Sequence, residues 1–366
     1  MPQVAPVVAH VNAVGRASPA HEVHGAFGAF AEASLSAPRE RALFRRMAAR
    51  SGIERRRSTF APATDGGSAV DAEGFYVRGR FPGTAARMRR YAEAAPALAE
   101  AAVRDLAERT PLGAITHLVV ASCTGFCAPG VDQRLVERLG LDPGIERVVL
   151  GFMGCAAAVN ALKTARHIVR SEPDARVLVV CVELCTLHLQ DVDDLATLLS
   201  AMLFADGAAA ALVSADPRGA ALGSFRAVTI PGTADRITWD VADTGFLMHL
   251  SGAVPAAIEE ALARERMRND PGGVLAGTPA DAIGLWAVHP GGRTVLDAVA
   301  AGLDLPEAAL APARAVLREN GNMSSPTVLF VLADLLARPG PPGEPGIGMA
   351  FGPGMVAETF RFARAA

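Results

Sequence analysis

Apolar residues recur at helical spacing in some stretches of the chain and run without a break in others. In Arg39 to Arg50, the positions Leu43, Phe44, Met47 and Ala48 repeat between Pro38 and Gly52, predicting a helix whose Arg46 and Arg50 share an exposed face. A Gly-, Pro- and Ser-containing loop from Ala61 to Gly83 leads into an alanine-rich run, Ala85 to Glu108, that predicts a long helix. The continuous runs "AITHLVVAS" from Ala114, "ARVLVVCVEL" from Ala175 and "GAAAALVSA" from Gly207 read as buried strands. Helices are expected near Asp132 to Leu139 and from Ala156 to Arg170. Strands apolar on both faces and alternating with helices indicate an α/β sheet covered on both sides.

The order then returns. A helix from Val254, a Gly/Pro loop, the strand "AIGLWAV" from Ala282 and the turn "HPGG" parallel the earlier helix, loop, strand and "CTG" turn. This predicts a duplicated α/β layer structure, divided into residues 1–222 and 223–366. "RPGPPGEPG", Arg338 to Gly346, marks a surface loop before a last strand, "IGMAFGPGM".

The chain has 366 residues, 51% of them hydrophobic, which is enough for a large core. Its 35 basic and 38 acidic residues leave a formal charge of -3, so no broad positive field points to nucleic acid or an anionic membrane surface. No stretch keeps about 18 apolar residues together, and the N-terminus lacks the basic start and apolar core of a signal peptide. A soluble, cytoplasmic protein without an integral membrane segment is expected, with its five cysteines reduced.

Each thiol then needs its own explanation. Cys155, in "VLGFMGCAAAVNAL", sits where a strand gives way to a helix, and the free N–H groups of such a terminus favour thiolate and lower the thiol pKa. Gly154 allows a tight turn before it. His289 ends a strand ahead of Pro290, Gly291 and Gly292, at the edge where α/β sheets present their sites. Asn322 precedes a helix that Ser324 or Ser325 could cap, and its amide could equally serve its own turn. Cysteine, histidine and asparagine make a coherent set: a nucleophile, a base or cation beside it, and donors for a thioester oxygen gaining negative charge. A papain-like protease uses the same three types, but "GCAAA" lacks an aromatic after the nucleophile. The pairs Cys123/Cys127 and Cys181/Cys185 do not suggest zinc, because positions four apart on a strand stand about 13 Å from each other.

Four stretches together resemble the chalcone and stilbene synthase family, the type III polyketide synthases of the thiolase-like superfamily. They are "GCAAAVNAL", "WAVHPGGRTVLD", "NGNMSSPTVLFVL" and "FGPGMVAET", in the family's order and spacing from Phe44 to Phe360. The resemblance implies a homodimer of duplicated αβαβα halves that acts on acyl-CoA and malonyl-CoA without metal or bound cofactor. It implies Cys155 as the acyl-carrying nucleophile, with His289 and Asn322 as oxyanion and enolate donors. Phe204 matches the gatekeeper between CoA tunnel and cavity. Thr124, Cys127, Cys185 and His188 fall on cavity-lining stretches, as do Phe351, Gly352, Pro353 and Gly354. Arg46 and Arg50, with Gly291 and Gly292, match CoA-binding positions. The implied reaction is iterative decarboxylative condensation, followed by closure to a pyrone, resorcinol or phloroglucinol-type product.

The chain departs from that pattern in places. Leu43 replaces a third basic CoA contact, Met248 replaces a second gating phenylalanine, and Ala350 begins the usual glycine-rich "GFGPG". Met248, Ala128 and Ala156 together point to a softer, roomier cavity and an aliphatic starter. The nearest rival is a ketoacyl-ACP synthase III type enzyme with the same three residue types. "FGPG", Phe204 and "GNMSS" argue against it, and chance alignment of four motifs argues against a non-catalytic thiol-rich scaffold.

Overall fold

A computed structural model of the chain describes residues 7–64 and 70–365. Residues 1–6, residues 65–69 near the start of the Ala61 to Gly83 loop, and residue 366 lie outside the described residues. The chain begins β1 (His10–Ala17), β2 (His21–Glu22), α1 (His24–Ser34), α2 (Pro38–Ala49), β3 (Arg57–Ser58), α3 (Thr84–Arg109), β4 (His117–Ser122), α4 (Val131–Leu139) and β5 (Glu146–Gly151). It continues with α5 (Ala157–Ser171), β6 (Val177–Leu184), α6 (Leu195–Ala201), β7 (Asp206–Ser214), β8 (Ala220–Thr229) and the hairpin β9 (Ile237–Ala242) and β10 (Gly245–Leu250). The last part is α7 (Val254–Arg268), β11 (Leu285–Val288), α8 (Arg293–Leu303), α9 (Ala311–Asn320), α10 (Thr327–Ala337), β12 (Pro345–Gly352) and β13 (Val356–Arg364).

Nine strands form one mixed sheet in the order β11-β12-β13-β8-β1-β7-β6-β4-β5. The group from β11 to β8 pairs with the group from β1 to β5 through a short stretch, His10 with Ala221 and Val11 with Ala220. The expected boundary at residue 222 therefore lies inside β8, whose first residues pair with β1 while its length pairs with β13. Period-two alternation sorts the side chains into layers. In β7, Ala209, Ala211 and Val213 join a core with α5 and α10, while Ala208, Ala210 and Leu212 join another with α3 and α4. α5 and α10 lie between the two strand groups, and α7 and α8 cover the far side. This is a thiolase-like duplicated α/β fold.

β5 behaves unlike the other apolar strands. It ends the sheet, and Val148 and Val149 are 40% and 57% exposed, beside Phe126 at 52% and Met153 at 40%. The expectation of covered strands, drawn from the runs at Ala114, Ala175 and Gly207, holds for those three, and β5, at the end of the sheet, departs from them. Among the described residues no helix is long and apolar enough to cross a membrane.

Candidate active site

The loops after β4, β5, β6, β11 and β12 converge at the C-terminal ends of their strands, the usual position of a site in an α/β sheet. Cys155 lies in a single 3-10 turn, Gly154–Ala156, and α5 begins just after it at Ala157. The turn is tightly built. Phe152 adopts φ 56° and Gly154 φ 58°, and a Cβ on Gly154 would come within 2.4 Å of Pro353 Cδ. Only glycine lets the "FGPG" loop press onto the turn that carries Cys155. Ser324 and Met355, with φ of 58° and 54°, add left-handed backbone on the neighbouring loops. Such conformations are held only where surrounding structure enforces them, and they gather at functional sites.

Cys155 Sγ stands 4.0 Å from Asn322 Oδ1. The amide is fixed at both ends: Oδ1 accepts from Ser324 N at 2.8 Å, and Nδ2 donates to Gly291 O at 3.2 Å, two residues beyond His289. Asn322 thus serves its own turn and faces the thiol as well. No serine caps α10; the Ser325 hydroxyl instead donates to Glu183 Oε1 at 2.6 Å. His289 is 2% exposed, its backbone N–H donates to Met349 O at 2.7 Å, and neither ring nitrogen has a hydrogen-bond partner among the described residues.

Burial works against the expected effect of the helix terminus. It pushes the Cys155 thiol up to about 11, against weaker opposing hydrogen bonds from Ser324 and Asn322 and with a further rise from the Glu183 charge. It pulls His289 down to about 3. The terminus of α5 does not overcome desolvation, so each group taken separately is neutral at rest.

Cys155 is half-buried and lines an apolar cavity of about 150 Å³. Of the residues expected there, Thr124, Cys185, His188, Phe204, Met248, Phe351 and Pro353 line it. His289 and Asn322 stand behind the thiol rather than in this lining. Ala156 is 2% exposed and packs in the α5 core, because the turn that aims Cys155 at the cavity rotates the next side chain inward. Ala128 is exposed and Cys127 half-buried away from the wall, and neither Gly352 nor Gly354 lines it. Arg46 and Arg50 are exposed at the end of α2, without an ion pair among the described residues. The Arg50 carbonyl accepts from Arg293 Nη1 at 3.3 Å, which sets the end of α2 against the Gly291–Gly292 turn.

Several wall residues escape the sequence reading. Trp239, on β9, donates its indole N–H to Cys123 O at 2.8 Å and stands edge-on to His188. Phe246, on β10, stacks on His188 with centroids 4.3 Å apart. The alternation Ile237, Trp239, Val241 was the available signal for this hairpin. Glu183, inside β6 and fully buried, accepts from Cys123 N at 2.9 Å, Thr124 Oγ1 at 2.8 Å and Ser122 Oγ at 3.4 Å in addition to Ser325. Burial raises it to about 7 against those bonds. A carboxylate inside "VLVVCVEL" was its mark in the sequence.

A duplicated α/β fold with a cysteine at the meeting of its loops defines a thiolase-like acyltransferase. Residues 3–217 match the chalcone and stilbene synthases N-terminal domain, and residues 222–364 the C-terminal domain. The alpha-pyrone synthesis polyketide synthase-like Pks18 of Mycobacterium tuberculosis is 35% identical over 285 residues, covering 74% of this chain and 71% of that protein. Bisdemethoxycurcumin synthase of Oryza sativa subsp. japonica is 37% identical over 336 residues, 86% of this chain and 81% of that one. The crystal structure of PKS-I from the brown alga Ectocarpus siliculosus superposes with a TM-score of 0.85 at 29% identity, covering 99% of this chain and all of that one. The chain belongs to the chalcone and stilbene synthase family and is a type III polyketide synthase.

Proposed function

We propose that Cys155 carries the acyl chain, that His289 and Asn322 hold the developing oxyanions, and that the chain extends an acyl-CoA starter with malonyl-CoA. The observation that carries this reading is a cavity-facing thiol 4.0 Å from a fixed amide, backed by an imidazole with both nitrogens unpartnered among the described residues. Its proton passing to His289, Cys155 attacks the thioester carbonyl through sulfur. The imidazolium then returns that proton to the departing CoA thiolate, so the charges arise and vanish within one exchange. Malonyl-CoA next loses CO₂ in the same place. The enolate oxygen accepts from His289 and from the Asn322 N–H not engaged by Gly291. Its carbon attacks the acyl thioester, forming C–C, breaking C–S and releasing Cys155 to reload. No step calls for a metal or cofactor.

Intact-mass measurement with hexanoyl-CoA tests the assignment. The wild type should gain one acyl group and Cys155→Ala none, and equal labelling of both overturns it. Asn322→Ala should keep the adduct while malonyl-CoA decarboxylation falls about 10²- to 10³-fold, the usual effect of removing one such donor.

The aliphatic-starter expectation loses two of its supports, since Ala128 and Ala156 stand away from the wall. Trp239, tied by its indole N–H and walled by His188 and Phe246, supports few extensions and a pyrone-type product. Products from starter CoAs of graded length, resolved by mass spectrometry, decide between chain lengths. A homodimer through the exposed apolar edge at Val148, Val149, Phe126 and Met153 accounts for that edge, which a monomer leaves open to aggregation.

A further inference from the structure

We infer that Arg56 is a positioning residue that holds the Ala201 to Ala205 stretch, and through it Asn322, in register with Cys155. The inference rests on the roles assigned above to Asn322 and Cys155. Arg56 is 2% exposed, and no carboxylate lies within ion-pair distance of it among the described residues, although Glu22 and Asp206 act on it from further off. A cation so placed is costly unless fixed dipoles replace its water. Here they are carbonyls at the end of α6: Nη1 donates to Phe204 O at 2.6 Å and to Ala201 O at 3.0 Å. The plane of the guanidinium is set from the other side by α1, where Nε donates to His24 Nδ1 at 3.1 Å and Cζ lies 4.7 Å from the Phe27 ring centroid.

The stretch held in this way is joined directly to the asparagine. Asn322 N donates to Leu203 O at 2.8 Å, and Ala205 N donates to Asn322 O at 2.9 Å. The Arg56 stem also packs against Gly321, where a Cβ would meet Arg56 Cγ at 2.8 Å and Leu203 O at 3.1 Å. With φ +69° as well, position 321 fits glycine alone. Arg56 therefore touches the backbone on both sides of the bridge between Phe204 and Asn322. A displacement of this bridge shifts the amide relative to the thiol, and misplacement near 1 Å costs about 10²-fold in rate. Lysine keeps the charge but cannot bond His24 and both carbonyls from one plane.

The test uses the full chain with hexanoyl-CoA and malonyl-CoA. It compares Arg56→Lys, Asn322→Ala and the double variant for Cys155 acylation by intact mass and for CO₂ release. In Arg56→Lys, decarboxylation should fall about tenfold or more beyond any change in acylation. That loss should vanish in the Asn322→Ala background, where there is no amide left to align. Equal losses in both steps, an undiminished effect in the double variant, or wild-type decarboxylation overturns the inference. If Arg56→Lys does not fold, His24→Phe, which removes only the Nε partner, should show the same split in smaller measure, and its absence overturns the inference too. A wild type that neither acylates nor decarboxylates refutes the proposed function first, before any variant is compared.

Discussion

Replacing Glu183 with glutamine should change how folding stability depends on pH. The carboxyl is fully buried in β6 and raised from 4.5 to about 7 by desolvation, against hydrogen bonds from Ser325, Cys123, Thr124 and Ser122. Between those two values the folded protein holds a proton that the unfolded chain has released. Stability supplied by the neutral carboxyl is thus complete below about pH 4.5 and lost as pH rises through 7. A rise of 2.5, at about 1.4 kcal/mol for each, makes the loss about 3 kcal/mol. Glutamine keeps an oxygen for the three donors at Oε2 and turns its NH₂ to the Ser325 hydroxyl, which can accept, but it has no proton to lose. Unfolding entropy near 2.1 cal/mol/K per residue over 366 residues converts about 3 kcal/mol to about 4 °C. Thermal melts of both proteins from pH 5 to pH 8 should therefore diverge, the variant gaining most of that shift, about 3 °C, on the wild type across that range. A difference that stays flat with pH refutes the reasoning, because other titrating groups are common to both proteins.

Three further substitutions probe separate features. Gly154→Ala forces a Cβ against Pro353 at positive φ and should cost about 1–3 kcal/mol, read from urea midpoints, with acylation of Cys155 slowed. Trp239→Ala removes the tethered wall and should shift products toward longer chains, and an unchanged product profile by mass spectrometry counts against its role. Val149→Asp places a charge at the exposed edge of β5 and should halve the mass found by light scattering; a monomeric wild type overturns the dimer outright.

Legibility followed burial. β4, β6 and β7 were readable because both faces are apolar and both are covered. The stretch "RVVLG" of β5 has the same composition but lies open, since composition does not record which strand ends a sheet. β1, the β9–β10 hairpin and β13 went unread, the last because the chain turns back at Pro353–Met355, inside "IGMAFGPGM", and makes an antiparallel pair of one apparent strand. At the site, the three chemical residues were recognisable by type and turn. The opposing pull of burial was not, because helix-terminus effects are visible in a sequence while desolvation depends on what packs around the group. Ala156 shows the same limit in geometry. One step along a 3-10 turn separates cavity wall from core.

The contact of Gly154 with Pro353 has a consequence for the order of events during synthesis. The thiol leaves the ribosome early, but its amide partner at Asn322 and the loop that seats its turn are made near the end. Until then the turn that carries Cys155 has nothing to seat it. The contact makes the turn at Cys155 a product of the late-made C-terminal loop as much as of the strand and helix that flank it.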